Sequence, residues 1–261
     1  MSLLNKVKDL SNNYFDEAVK HRRHLHANPE LSFEEENTAK YVQSVLKENG
    51  VPFKGGIAGH GVVGLIEGNN PNKKTIALRG DMDALPITEE NEIDYKSTNE
   101  GVMHACGHDA HTTSLLGAAH ILSQLKNEFE GTVKLIFQPA EEKFPGGASL
   151  MIKEGVLKNP EPVGIIGQHV LPELEAGKVG FRPGIFMASA DEITLTINGK
   201  GGHAAQPHKF TDSILMTSQI IVALQQVVSR RANPDTPCVL SFGHIETKGY
   251  YNIIPLSLIH I

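Results

Sequence analysis

Along the first 50 residues the apolar positions recur at helical spacing. Leu3, Leu4, Val7, Leu10 and Val19 mark one helix; Ala39, Val42, Val45 and Leu46 mark one face of a second, from Phe33 to Asn49, which Gly50 ends. From Arg22 to Ser32 the pattern is broken by Pro29, which predicts a connection. The period then changes. Gly61 to Glu67, Thr75 to Leu78, Thr132 to Phe137 and Val163 to Gly167 are short, nearly continuous apolar runs, and helical patterns over Ala110 to Phe129 and Ser149 to Glu154 lie between them. Such strands, separated by helices, predict an α/β fold with a mostly parallel sheet flanked by helices on both faces.

A second unit is expected from about Gly184. Asp191 to Ile197 alternates with period two, a helix is predicted from Asp212 to Arg230 with Ile214, Ile220, Ile221, Leu224 and Val228 inward, and Val239 to Ile245 reads as a further strand. This order fits a small α+β unit, so the chain divides into residues 1–183 and 184–261. No repeat of fixed period is present, which excludes a solenoid.

Composition narrows the function. A chain of 261 residues can bury a sizeable core, and 24 basic against 30 acidic side chains leave a net charge of −6, with no footprint for nucleic acid or an anionic membrane. The partner expected is a small molecule. The N-terminal stretch has no continuous apolar core and no run approaches a membrane span, so neither an export signal nor a transmembrane segment is expected. Two distant cysteines, Cys106 and Cys238, suggest a reducing compartment, by default the cytoplasm, and Cys238 in PCVLSF reads as a core residue. The 13 histidines are the unusual entry, because imidazole is enriched where metals are held or protons moved.

Polar residues gather where an open α/β sheet binds ligands, beyond the carboxyl ends of its strands. TIAL is followed by Asp81 and Asp83, TVKLIF by Glu141 and Glu142, and VGIIG by His169. The densest donor cluster, MHACGHDAH, places Cys106, His108, Asp109 and His111 just ahead of the long helix. Thiolate, imidazole and carboxylate together suit zinc or another first-row divalent ion rather than magnesium or calcium. Each feature alone has a plainer reading: a structural thiol with a capping histidine, two acids in a first helical turn, a hydrogen-bonded loop histidine. Adjacent glutamates on an irregular segment can point to different sides, leaving one to bind metal and one free as a base. In the second unit, GKGGHAAQPH puts His203 after a β-run, which equally fits a hairpin turn. His24, His26, His60, His120 and His244 are expected to be structural or supporting.

Taken together, HLHANPELSFEE, GDMDALP, HACGHDAHT, QPAEE, GKGGHAAQPH and NIIP resemble the zinc-peptidase-like M20 amidohydrolases, in particular the aminoacylase-type branch with hippurate hydrolase, N-acetyl-diaminopimelate deacetylase and the plant auxin-conjugate hydrolases. The similarity runs from about Tyr14 to Pro255. It implies a metal-bearing α/β domain with an inserted smaller lid that also forms a homodimer. By this resemblance two divalent ions (zinc, manganese, cobalt or nickel) fall on Cys106, His108, Glu142 and His169; Glu141 matches the catalytic glutamate; Asp83 matches a supporting carboxylate; and His203 and Asn252 match lid residues that bind substrate. Members of the family continue past NIIP, complete the lid and return to the first domain with a further metal-binding histidine, whereas LSLIHI follows here, so that segment is expected to be missing and no ligand role is carried onto His260.

The reaction implied is hydrolysis of an N-acyl amino acid, with water activated by the ion pair, Glu141 as general base and His203, arriving from a neighbouring chain, stabilising the oxyanion once the lid closes. The thiolate ligand implies sensitivity to oxidants and chelators. Two other readings are a truncated, inactive relative that only binds ligand or self-associates, and a metallopeptidase acting on dipeptides.

Overall fold

The computed structural model describes residues 1–187, 189 and 191–260, which fall into two compact units, Met1–Glu175 and Ala176–Ile261. The division lies ahead of Gly184, where the sequence pattern places it.

In the first unit, α1 spans Leu3–Ala27 and α2 spans Glu36–Glu48. The connection expected from Arg22 is instead the last turns of α1. His21, Leu25 and His26 are buried and continue an inward face through histidines, which an apolar count misses, and the helix stops at Asn28 because the residue before a proline disfavours helical backbone. Leu3 and Leu4, counted among the apolar positions of that helix, are exposed. The second helix starts later than Phe33, whose φ of 70° is incompatible with a helix. The carboxylate of Glu30 accepts the backbone N–H groups of Asn37 and Thr38 at 3.1 and 2.8 Å, satisfying donors that a helix start leaves open.

The sheet comprises β1 (Phe53–Ile57), β2 (Gly61–Glu67), β3 (Thr75–Asp81), β4 (Thr132–Gln138) and β5 (Ile165–Gly167), in the order β1-β2-β4-β3-β5. β3 runs parallel to both β4 and β5, and β2 and β1 extend this parallel centre as an antiparallel edge. Two further helices belong to this unit, α3 (His108–Gln124) and α4 (Gly147–Lys153). The helix predicted to reach Phe129 ends at Gln124 and is followed by a 3-10 turn over Lys126–Glu128.

The run TVKLIF is nearly continuous because β4 is covered on both faces. Leu135 and Phe137 pack with Val42, Leu46 and Leu116 on one side, and Ile136 packs with Ala77, Met151 and Val156 on the other. Lys134, buried on the latter side, donates from Nζ to the carbonyls of Val156, Lys158 and Pro160 at 2.8, 2.9 and 2.6 Å. One ammonium therefore satisfies three acceptors in the segment leading to β5.

The second unit contains β6 (Leu195–Asn198), β7 (Gly202–His203), α5 (Ser213–Gln226), β8 (Ile245–Thr247), β9 (Ile253–Ile254) and β10 (Ser257–His260). β10 lies antiparallel between β6 and β8, and β7 pairs with β9. The strand predicted from Asp191 begins at Leu195, and Val239 to His244 is irregular, so only Ile245 of that run enters a strand. Pro234 and Pro237 withhold N–H donors just ahead of that run, and Cys238 is exposed rather than in a core. The buried phase of α5 is set by Ser213, whose Oγ donates to the Pro255 carbonyl at 3.1 Å, and by Thr217; Ile214 is exposed, and Ile220, Ile221, Leu224 and Val228 are half-buried. A π-turn over Val227–Arg231 replaces the predicted end of that helix. The side chain of His260 lies outside the described residues. No helix among the described residues is long and apolar enough to cross a membrane.

Candidate metal centre

Because β3, β4 and β5 run parallel, their carboxyl ends open on one edge of the sheet, and each delivers polar residues there. Asp81 ends β3 and Asp83 follows it, Glu141 and Glu142 follow β4, and His169 follows β5. The N-terminal turn of α3 brings Cys106 and His108 to the same edge; Gly107 between them has φ 85°, a left-handed conformation that suits glycine.

Two donor sets converge on His108. One ligand atom from each of Cys106, His108 and His169 lies within 4.8 Å of the others, and the same holds for His108, Glu141 and Glu142. Cys106 Sγ is 3.3 Å from His169 Nε2, and His108 Nε2 is 3.7 Å from Glu142 Oε1. Hydrogen bonds set both tautomers. His108 Nδ1 donates to the backbone carbonyl of Asp83 at 2.8 Å, with Asp83 Oδ1 at 3.2 Å, and His169 Nδ1 donates to the Val170 carbonyl at 2.7 Å. Each ring therefore turns an Nε2 lone pair towards the cluster. His108 Nε2 is buried with no hydrogen-bond partner, a costly state for a polar atom unless a cation takes the lone pair. Sulfur, imidazole and carboxylate donors around that atom fit zinc or a similar divalent ion.

Residues 77–254 match the family described as Peptidase family M20/M25/M40. The chain belongs to this family. It is 43% identical over 250 residues to an N-acyl-L-amino acid amidohydrolase of Geobacillus stearothermophilus, covering 96% of this chain and 67% of that protein. It is 46% identical over 248 residues to IAA-amino acid hydrolase ILR1-like 4 of Arabidopsis thaliana, covering 95% and 55%. Among solved structures it is similar to Bacillus subtilis YXEP, described as a dinuclear metal binding peptidase from the M20 family, with a TM-score of 0.70 and 33% identity over 95% of this chain and 63% of that one. The chain spans 55% to 67% of the length of four of the curated relatives it matches.

In this M20 chain the electrostatics of the edge are dominated by carboxylates. Burial, then the hydrogen bond and charge of Glu142, and the charges of Asp81 and Glu141 push the Cys106 thiol up to about 12. A bound cation inverts that balance by stabilising the thiolate. Partial burial, with Glu142 and Asp81 nearby, raises the pKa of Glu141, which reaches solvent. For Asp83 burial acts upwards, but His108, the Ser32 hydroxyl and the backbone N–H groups of Glu142 and Glu141 outweigh it and hold the carboxyl below its ordinary value.

The sequence-derived residues are distributed as follows in the M20 chain. Cys106, His108, Glu141, Glu142 and His169 meet at the edge, and Asp83 stands behind them, its Oδ2 accepting from Ser32 Oγ at 2.6 Å and from the Glu142 N–H at 2.9 Å. Asp109, counted among the donors of its motif, is turned away: its Oδ2 is 2.7 Å from His26 Nδ1 and 3.0 Å from Arg22 Nε, because α1 presents two cationic or imidazole groups to that side of α3. His203 and Asn252 lie in the second unit, where the N–H of Ala204 donates to the Asn252 carbonyl at 3.0 Å and the N–H of Ala205 donates to His203 Nδ1 at 3.1 Å. Sequence reasoning missed the part played by Ser32 and Glu35. Glu35 is fully buried and its Oε1 accepts the N–H of Ala140 at 2.6 Å, pinning the turn whose φ of 48° at Ala140 aims the glutamate pair outwards. Both residues sit in HANPELSFEE, and an acidic residue within a half-apolar stretch was the available signal.

Proposed function

We propose that this chain carries the metal-binding portion of an amidohydrolase that cleaves the amide bond of N-acyl amino acids. The observation that carries the reading is the buried, unpartnered Nε2 of His108 between two donor sets, with an additional glutamate beside it. Its 43% identity to an N-acyl-L-amino acid amidohydrolase supports the substrate class. In this reading Cys106, His108, Glu142 and His169 hold two divalent cations, drawn from zinc, manganese, cobalt and nickel. When bound, such ions supply Lewis-acid polarisation of the scissile carbonyl and acidify water.

The rest of the work falls to the chain's own side chains. Glu141 is the general base: it takes the proton of the attacking water and returns it to the departing amine, and its raised pKa brings it nearer to neutral operating pH. Asp83 fixes the His108 tautomer and, by accepting the Glu142 N–H, the backbone of the glutamate pair. By the family resemblance, His203 is the residue that a second copy of the chain supplies to donate to the oxyanion, and Asn252 is a substrate-binding residue. The partners proposed are a small N-acyl amino acid and a second copy of the chain joined through the second unit. The cytoplasm is the proposed location, consistent with Cys106 and Cys238 both being free thiols.

Hydrolysis of N-acetyl and N-benzoyl amino acids by the zinc- or cobalt-loaded chain tests the reading, with dipeptides as the comparison series. Glu141→Gln is expected to keep its metal while losing about 10²–10⁴ in turnover, since only proton transfer is impaired. Normal turnover in that variant removes Glu141 as base, and a wild-type chain without stoichiometric metal removes the enzyme reading in favour of a ligand-binding relative.

A further inference from the structure

Besides the two donor sets already described, a third cluster of potential ligands shares His108: one atom from each of Asp81, His108 and His111 lies within 4.8 Å of the others, and all three residues are buried. Its members are already committed to each other. His111 Nδ1 is 2.7 Å from Asp81 Oδ1, and the other carboxylate oxygen of Asp81 accepts from the Arg79 guanidinium. The backbone N–H of Val170 donates to His111 Nε2 at 2.9 Å. An N–H can only be received by a lone pair, so Nε2 is the unprotonated nitrogen and Nδ1–H donates to Asp81. Both ring nitrogens are spent, in contrast to His108, whose Nε2 is free.

We infer that His111 is a positioning residue rather than a cation ligand: it seats the loop after β5 so that His169 Nε2 faces Cys106. Three further contacts fit this role. The rings of His111 and His169 meet edge-on with centroids 4.5 Å apart. A Cβ added to Gly107 would lie 2.3 Å from Val170 Cγ2, so the loop rests directly on the turn between Cys106 and His108. The His111 end is rigid, because Thr112 Oγ1 donates to the Asp81 carbonyl at 2.6 Å and ties the first turn of α3 to the end of β3. The loop thus receives its position from β3 through Asp81, His111 and the Val170 peptide. The His169 ring reaches the cluster with Nδ1 already engaged on the Val170 carbonyl.

The role of His169 as ligand rests on the function proposed above, so the test has one arm independent of metal. In the cation-free full chain, amide hydrogen exchange at Val170 is compared among wild type, His111→Ala and His111→Gln, whose Oε1 can receive the same N–H. Exchange at least tenfold faster in the alanine variant, with most of the protection recovered by glutamine, is expected. Unchanged exchange in His111→Ala overturns the inference. In the second arm cobalt(II) is titrated into the same proteins and into His169→Ala. Loss of the loop's position is expected to weaken cobalt binding by about 10–100-fold, and His111→Ala should add little to His169→Ala because it acts through that residue. Full additivity of the two substitutions, or loss of a cobalt equivalent in His111→Ala that His169→Ala retains, overturns the inference. A wild-type chain that takes up no cobalt removes the metal reading, and the exchange arm then decides alone whether His111 positions the loop.

Discussion

At the scale of single residues, the centre depends on which lone pairs have been left uncommitted. His108 offers Nε2 because the main chain and carboxylate of Asp83 occupy Nδ1, and Asp83 in turn is held by Ser32 and the Glu142 N–H. Asp83→Asn should therefore weaken cobalt binding by about 10–100-fold without removing any ligand, as read by competition with a chelating dye; undiminished affinity would mean that the tautomer is set elsewhere. A second prediction concerns the buried network of α1. His26 Nε2 lies 3.1 Å from Glu89 Oε1. Burial acts upwards on Glu89, but the Ser97 N–H, Asn91 and His26 hold it down at about 2 against an ordinary 4.5. Burial acts against charging His26, yet the hydrogen bond to Asp109 outweighs it and its pKa lies above 6.5. The carboxylate's contribution to stability is present above pH 4.5 and is lost as pH falls towards 2, whereas that of His26 is present below 6.5 and is lost as pH rises through its folded value. Urea midpoints measured between pH 4.5 and 2 should fall in the wild type and fall less in Glu89→Gln; parallel curves would contradict the assignment. Cys106, His108, Glu141, Glu142 and His169 were legible because each follows a strand or starts a helix. Ser32, Glu35 and His111 were not readable as supports, because their partners lie in segments distant along the chain, and only the fold chooses among the acceptors.

At the scale of elements, β4 is the strand on which the first unit turns. It is paired on both sides and covered on both faces, and its one charged residue is used as a tie: Lys134 reaches three carbonyls in the segment that leads to β5 and so to His169. Lys134→Met keeps the stem and removes the ammonium, leaving buried carbonyls without their donor. It should lower unfolding free energy by about 3 kcal/mol in urea titrations, and a change within experimental scatter would show that water replaces the tie freely. The regular strands β2, β3 and β4 were visible as apolar runs because burial on both faces removes polar alternation. β1 was hidden, since FKGGI carries two glycines and is mostly exposed. The end of α1 was hidden for a different reason: two of its three buried positions, His21 and His26, are histidines held by Tyr14, Tyr41 and Asp109 rather than by apolar contact. In the second unit the strand expected over Val239 to Ile245 failed because β-type composition cannot supply a pairing partner, and regular pairing starts only at Ile245.

At the scale of the whole molecule, three parallel strands carry their loops to one edge, and the first turn of α3 closes the same edge with a thiol and an imidazole. Sulfur, nitrogen and oxygen donors gather at that edge within reach of one another. In the proposed reading a cation bound there would join four stretches of chain: the ends of three strands, through Asp83 behind the ligands, Glu142 and His169, and the start of α3. The measurement that tests this most directly is X-ray absorption at the zinc edge on the zinc-loaded chain. A sulfur scatterer at about 2.3 Å alongside nitrogen and oxygen neighbours is predicted, with the sulfur shell lost in Cys106→Ser and retained in Cys238→Ser. A zinc spectrum without sulfur, or one that Cys106→Ser leaves unchanged, contradicts the centre described.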